Sequence, residues 1–137
     1  MSSNITLFPS ILRLTGLEPI SAAAFLGVRP RAVYRWLNGG YAPDHVIHKL
    51  SDLLERQNDY ADQVFNTWKA NGQPNPYTVN VSQSDTEAEL RGWPNLAAEL
   101  HALALAQSLL PHIRITLTGE LKDRSTDEIT SSEESFI

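Results

Sequence analysis

Three arginines, a tyrosine and an asparagine fall close together in the stretch ISAAAFLGVRPRAVYRWLNGG, residues 20–40. If residues 30–38 are helical, Arg31 and Arg35 stand one turn apart on one face, with Tyr34 beside them. Arg29 then precedes the helix and Asn38 ends it. A guanidinium presents a planar fork of donors that matches guanine O6 and N7 or a phosphate, and an asparagine at a helix end can hold a backbone phosphate. The chemistry expected of this set is recognition of a polyanion.

Presenting that face requires the opposite side of the helix to be anchored. Val33 and Trp36, three apart, supply an apolar back, and Leu26 and Val28 stand where a preceding helix would share the same interior. Two short helices that cross closely need a small residue at the contact and a turn that tolerates positive φ, and Ala23 and Gly27 meet those demands four residues apart. Pro30 suits a first helical turn, where its missing N–H is no loss, and Asn38-Gly39-Gly40 suits a helix end. The spacing predicts a helix-turn-helix whose second helix offers Arg29, Arg31, Tyr34, Arg35 and Asn38 to double-stranded DNA.

Charge distribution supports this reading despite a net charge of −5 over 137 residues. Residues 13–38 hold Arg13, Arg29, Arg31 and Arg35 against Glu18 alone, a balance of +3. From residue 120 onward Glu120, Asp123, Asp127, Glu128, Glu133 and Glu134 face only Lys122 and Arg124, a balance of −4. A local basic patch can bind DNA under a negative total, with weak long-range attraction and more weight on specific contacts.

Around this pair the sequence predicts a mainly α chain with a small β element, an α+β organisation. Residues 6–15 form a first helix, with Leu7, Ile11, Leu12 and Leu14 at helical spacing and Gly16 as a stop. After the Gly-Gly break, APDHVIHKLSDLLERQNDYADQVFNTWKANG carries Val46, Leu50, Leu53, Ala61, Val64 and Trp68 at three- and four-residue intervals, closed by Asn71-Gly72. One helix of roughly 28 residues would extend about 42 Å. Its first half is expected to complete the helix-turn-helix core and its second half to connect onward.

The period then changes. YTVNV at 77–81 and IRITLT at 113–118 alternate as strands do, and 82–89 is a polar loop or short helical turn. Residues 95–110, NLAAELHALALAQSLL, read as a helix with Leu96, Leu100, Leu103, Ala104 and Gln107 along one face. Two strands alone are marginal in water, so this strand-helix-strand unit calls for a partner surface. Trp68, Trp93 and the Leu/Ala-rich helix suggest a homodimer, which would place two recognition helices on an inverted repeat with half-sites about 34 Å apart or a multiple of it. The expected division is a DNA-binding domain with its long helix at 1–71, a small α/β dimerisation domain at 72–118 and a disordered acidic tail at 119–137.

Other classes find less support. The chain has no cysteine, which removes disulfides and thiolate metal sites. His45 and His48 with Asp44 amount to half a metal site with no recognisable partners, and neither a nucleophile elbow nor a glycine-rich phosphate loop is present. No enzyme, cofactor or metal is therefore expected. MSSNITLFPS lacks the basic start and apolar core of a signal peptide and no apolar run could span a bilayer, so a cytoplasmic, membrane-free protein is expected.

The segment GVRPRAVYRWLNGG resembles the Cro/C1-type helix-turn-helix, in its Gly-Val turn, Arg-Trp pair and Asn-Gly end. More widely, residues 7–117 resemble the YdiL-like proteins and the second type of anti-CRISPR-associated repressors, through WLNGGYAPDHV, the Gly-x-Pro turn at Gly72, the strand at Tyr77 and GWPNLAAEL at 92–100. This resemblance implies a small prokaryotic or phage-borne repressor that dimerises through its C-terminal part and represses its own operon. It also implies DNA contacts at Arg29, Arg31, Tyr34, Arg35 and Asn38. Pro30, where such helices often carry a polar contact residue, and the acidic tail both depart from the pattern. The competing reading is an antitoxin-like module whose leucine-rich C-terminal part binds a partner protein. RNA is a further possible ligand for arginines and aromatics, without an RNA-module motif to support it.

Overall fold

The structure, a computed structural model, describes residues 6–119. Residues 1–5 and 120–137 lie outside it, and with them nearly all of the expected acidic tail. The described chain is mainly helical with one small sheet. Its order is α1 (Phe8–Thr15), α2 (Pro19–Leu26), α3 (Pro30–Leu37), α4 (Asp44–Ala70), β1 (Tyr77–Asn80), α5 (Asp85–Leu90), α6 (Leu96–Leu109) and β2 (Ile115–Thr118). No described helix is long and apolar enough to cross a membrane.

Helix α1 buries only part of the expected stripe, Leu12 and in part Ile11. Leu7 and Leu14 are 70% and 55% exposed, whereas Phe8, Leu12 and Thr15 are buried. Both sets follow the same helical spacing, so periodicity alone cannot choose between them. The choice falls to packing: the Phe8 ring meets Trp36 of α3 edge-on at 5.4 Å. Thr15 is accommodated because its hydroxyl donates to the Leu12 carbonyl at 2.6 Å and accepts from the Leu17 N–H.

Helix α4 forms the spine of the molecule. Val46, Leu50, Leu53, Gln57, Ala61 and Val64 make its buried side, and Gln57 is the one polar member. Its amide donates to the Thr15 carbonyl at 2.9 Å and to the Ala98 carbonyl at 3.0 Å, tying the end of α1 and the start of α6 to the middle of α4.

The buried face of α6 matches expectation only in part: Leu103 is buried and Leu96 packs against the core as expected. Leu100 and Ala104 are exposed, Gln107 is partly so, and the side against the core is Ala98, Glu99, Ala102, Leu103 and Ala106. Three alanines four residues apart leave little side chain between two helix axes, so α6 lies close along α4, where Ala61 faces the same cluster. The helices run in the same direction: Gln57 meets Ala98 near one end, and Ala61 and Val64 share a cluster with Leu103 and Ala106 further along.

Strands β1 and β2 pair in parallel, Tyr77 with Ile115 through Asn80 with Thr118, with α5 and α6 in the crossover. Parallel pairing follows from the connection, since the chain must return along α6 before the second strand can form. The polar stretch after β1 resolves into a helix, α5, whose Ser84 side chain caps the Glu87 N–H. Apolar residues of α1–α4 share one core cluster with Ala88, Trp93, Ala98 and Ala102, so the core packing continues across residues 71 and 72.

Candidate nucleic-acid interface

The turn between α2 and α3 rests on Gly27, which has φ +73° and open space where a Cβ would lie. Only the backbone conformation demands glycine there. The Val28 N–H returns to the Ala23 carbonyl at 3.0 Å, closing the turn. Ala23 is buried at the point where α2 and α3 approach, and Leu26, Val33 and Trp36 fill the interior below them, with Val28 partly buried beside them.

With Val33 and Trp36 inside, the remaining face of α3 is directed outward. Arg31, Tyr34 and Arg35 are all exposed on it, and Arg29 and Asn38 are exposed at its two ends. Arg29 is the N-cap residue and Asn38 the C-cap residue. The five sequence-identified positions are therefore all exposed along a single helix or at its ends. No described acidic side chain forms an ion pair with any of these arginines, since the ion pair among the described residues joins Arg91 to Glu99. Arg13, in the last turn of α1, adds a further exposed cation in the N-terminal part.

The chain after α3 folds back onto Arg35. Its carbonyl accepts from the N–H groups of Asn38 and Gly40 at 3.2 and 3.0 Å. A Cβ placed on Gly40 would lie 2.9 Å from that carbonyl and 3.2 Å from the Arg35 Cγ. The chain after α3 thus folds tightly against the stem of Arg35, and glycine permits the approach. Helices α2 and α3 both start with a proline in the first turn and without a side-chain cap, which leaves backbone N–H groups at both N-termini for an external acceptor.

Asp44, His45 and His48 are exposed at the start of α4, and among the described residues no group of three or more histidine or carboxylate side chains is arranged to hold a metal. Sequence reasoning passed over a second polar centre. Glu99, on the buried side of α6, accepts from the Ser82 N–H at 3.0 Å and pairs with Arg91 at 3.5 Å. Nearby, burial and then the charge of Glu99 push the Tyr60 hydroxyl above its ordinary pKa. The available signal is a glutamate four residues from Leu103 on a Leu/Ala-rich helix. Trp93, expected on a dimer surface, is instead largely buried at 6% exposure, edge-on to Tyr60 at 5.6 Å. Compared with known proteins, the chain matches no family model, and no curated protein matches it in sequence.

Proposed function

We propose that this chain is a sequence-specific, double-stranded-DNA-binding transcription regulator, a homodimeric repressor of its own operon at an inverted repeat. The observation that carries this reading is the exposure of Arg29, Arg31, Tyr34, Arg35 and Asn38 along α3, a helix anchored from behind by Val33 and Trp36. Arg31 and Arg35 read base edges in the major groove, Arg29 and Asn38 hold phosphates at the ends of the helix, and Tyr34 packs on the sugar-phosphate backbone. The uncapped N-termini of α2 and α3 suit further phosphate contacts. The protein acts by binding, without cofactor or metal, in the cytoplasm of a prokaryotic cell.

Dimerisation uses the C-terminal part, where Leu90, Leu100, Leu109 and Leu117 are 83%, 38%, 44% and 52% exposed. The same leucines favour a second reading, an antitoxin-like module in which the C-terminal part takes a different protein.

Binding to DNA from the protein's own upstream region, compared with scrambled DNA across a salt series, tests the first reading. Preference for an inverted repeat, loss of affinity with salt and saturation at two chains per site support it. Equal, weak binding to both DNAs, or a monomer by light scattering with and without DNA, overturns it.

A further inference from the structure

A cleft of about 490 Å³ opens between α4, β1 and the α5–α6 connection, on residues that the DNA reading does not use. That size is ordinary for a small-molecule site. Its floor is Glu99, only 1% exposed. One carboxylate oxygen, Oε2, accepts from the Ser82 N–H and from Arg91. The other, Oε1, is buried with no hydrogen-bond partner. A buried carboxylate oxygen lacking a donor is costly, and because Glu99 is one of the residues lining the cleft, a ligand there can supply the missing donor.

The walls and rim restrict what that donor can belong to. Trp93 and Tyr60 form an aromatic wall, and the Arg56 guanidinium lies 4.3 Å above the Trp93 ring. Arg56 is already engaged, donating to the carbonyls of Gly92 and Arg91. Gly92, at φ +92°, allows this, because a Cβ there would press on the guanidinium. Arg91, by contrast, makes only long contacts, 3.5 Å to Glu99 and 3.3 Å to Asn80, and its side chain is 34% exposed. It has donors to spare at the rim.

Two guanidiniums and the two carboxylates of Asp59 and Glu99 leave the lining formally neutral. An anionic ligand would set its charge against the carboxylates, and a polyamine would meet both guanidiniums. We propose that this cleft binds a free amino acid, its ammonium group donating to Glu99 Oε1 on the floor and its carboxylate pairing with Arg91 at the rim. The side chain lies along Tyr60 and Trp93, and the volume admits a large one.

The test uses the full chain without DNA, so its result is separate from the fate of the DNA-binding reading. Each of the twenty L-amino acids is titrated at millimolar concentration while amide resonances of Ser82, Arg91 and Glu99 and the Trp93 indole resonance are followed. One or a few amino acids should shift these resonances with 1:1 saturation. The N-acetyl derivative, lacking the ammonium, and the amide, lacking the carboxylate, should each bind about tenfold more weakly or worse. Glu99→Gln should cause the same loss, and the exposed-side variant Arg91→Gln provides the second reading should Glu99→Gln not fold. Absence of any shift, equal binding of the N-acetyl derivative, or undiminished binding by a folded Glu99→Gln or Arg91→Gln protein overturns the proposal.

Discussion

Arg35 and Asn38 are three residues apart, yet they should behave differently when truncated. Arg35 stands on the exposed face of α3 with its stem braced by Gly40, while Asn38 sits at the helix end. Arg35→Ala should cost about 1–3 kcal/mol of binding to the cognate site and relax selectivity at one base pair, whereas Asn38→Ala should weaken all sequences alike. Competition binding on single-base-substituted sites measures both, and equal losses for Arg35→Ala on cognate and random DNA would refute its role as a reader. Buried polar residues carry a different kind of prediction. Gln57→Ala removes the donor to the Thr15 and Ala98 carbonyls and leaves a cavity, so stability should fall by about 2–4 kcal/mol in chemical denaturation. Tyr60 adds a pH dependence: its folded pKa lies above the ordinary value of 10.0, so the folded state holds the proton more tightly than the unfolded chain. The stabilisation is complete below pH 10.0 and declines as pH rises through the folded value, and in Tyr60→Phe that alkaline decline should be reduced.

For a single element, α6 is the most informative. Its alanine side meets α4 with Ala98, Ala102 and Ala106 fully buried, and its Leu100 lies on the other side, 38% exposed. Ala102→Leu should overpack that contact and destabilise the fold by about 1–3 kcal/mol, while Leu100→Ser should alter stability by no more than about 0.5 kcal/mol. Thermal melts of the two variants distinguish the faces. If the exposed leucines form the dimer contact, Leu100→Ser should also shift the monomer–dimer equilibrium in sedimentation, which Ala102→Leu tests less cleanly because it perturbs the fold. Helix α3 makes the complementary point: eight residues are too few to be stable alone, so its arginine face exists because Val33 and Trp36 are clamped against Phe8, Leu26 and Ala23.

Considered as a whole molecule, the chain joins its N-terminal helices and its C-terminal strand-helix-strand through shared packing. Trp93, Ala98 and Ala102 belong to the same core cluster as Phe8, Val33 and Leu50. A fragment of residues 1–71 should therefore melt at a lower temperature than the full chain, and circular dichroism during heating checks it; an equal melting temperature would mean the later segments add nothing to the N-terminal core. Net charge acts at this scale too. At −5 overall, the protein should gain little long-range attraction to DNA, and its association should depend on the local arginine face.

The two short helices α2 and α3 and the turn between them were legible in the sequence because their constraints are local. Gly27 needs positive φ, Pro30 a first turn and Ala23 a close contact, and each demand is met within a few residues. The length of α4 and both strands were legible for the same reason, as periodicity and turn residues mark them directly. The inward side of α1 was legible only in part: Leu12 was expected inside and is, but Phe8 and Thr15 join it in place of Leu7 and Leu14, two pairs with the same spacing that only Trp36, distant in sequence, distinguishes. The alanine side of α6 was hidden by a related ambiguity: hydrophobicity favours burying leucines, but close approach to α4 favours small residues, and the distance between two helices is a property of the packed molecule. The Glu99 centre depends wholly on tertiary structure, since Ser82, Tyr60 and the Arg91–Trp93 connection reach it from three separate segments. Local periodicity and turn chemistry determine the elements and the surface residues they carry; contacts between distant segments determine which face of each element is inside and what the buried polar groups can meet.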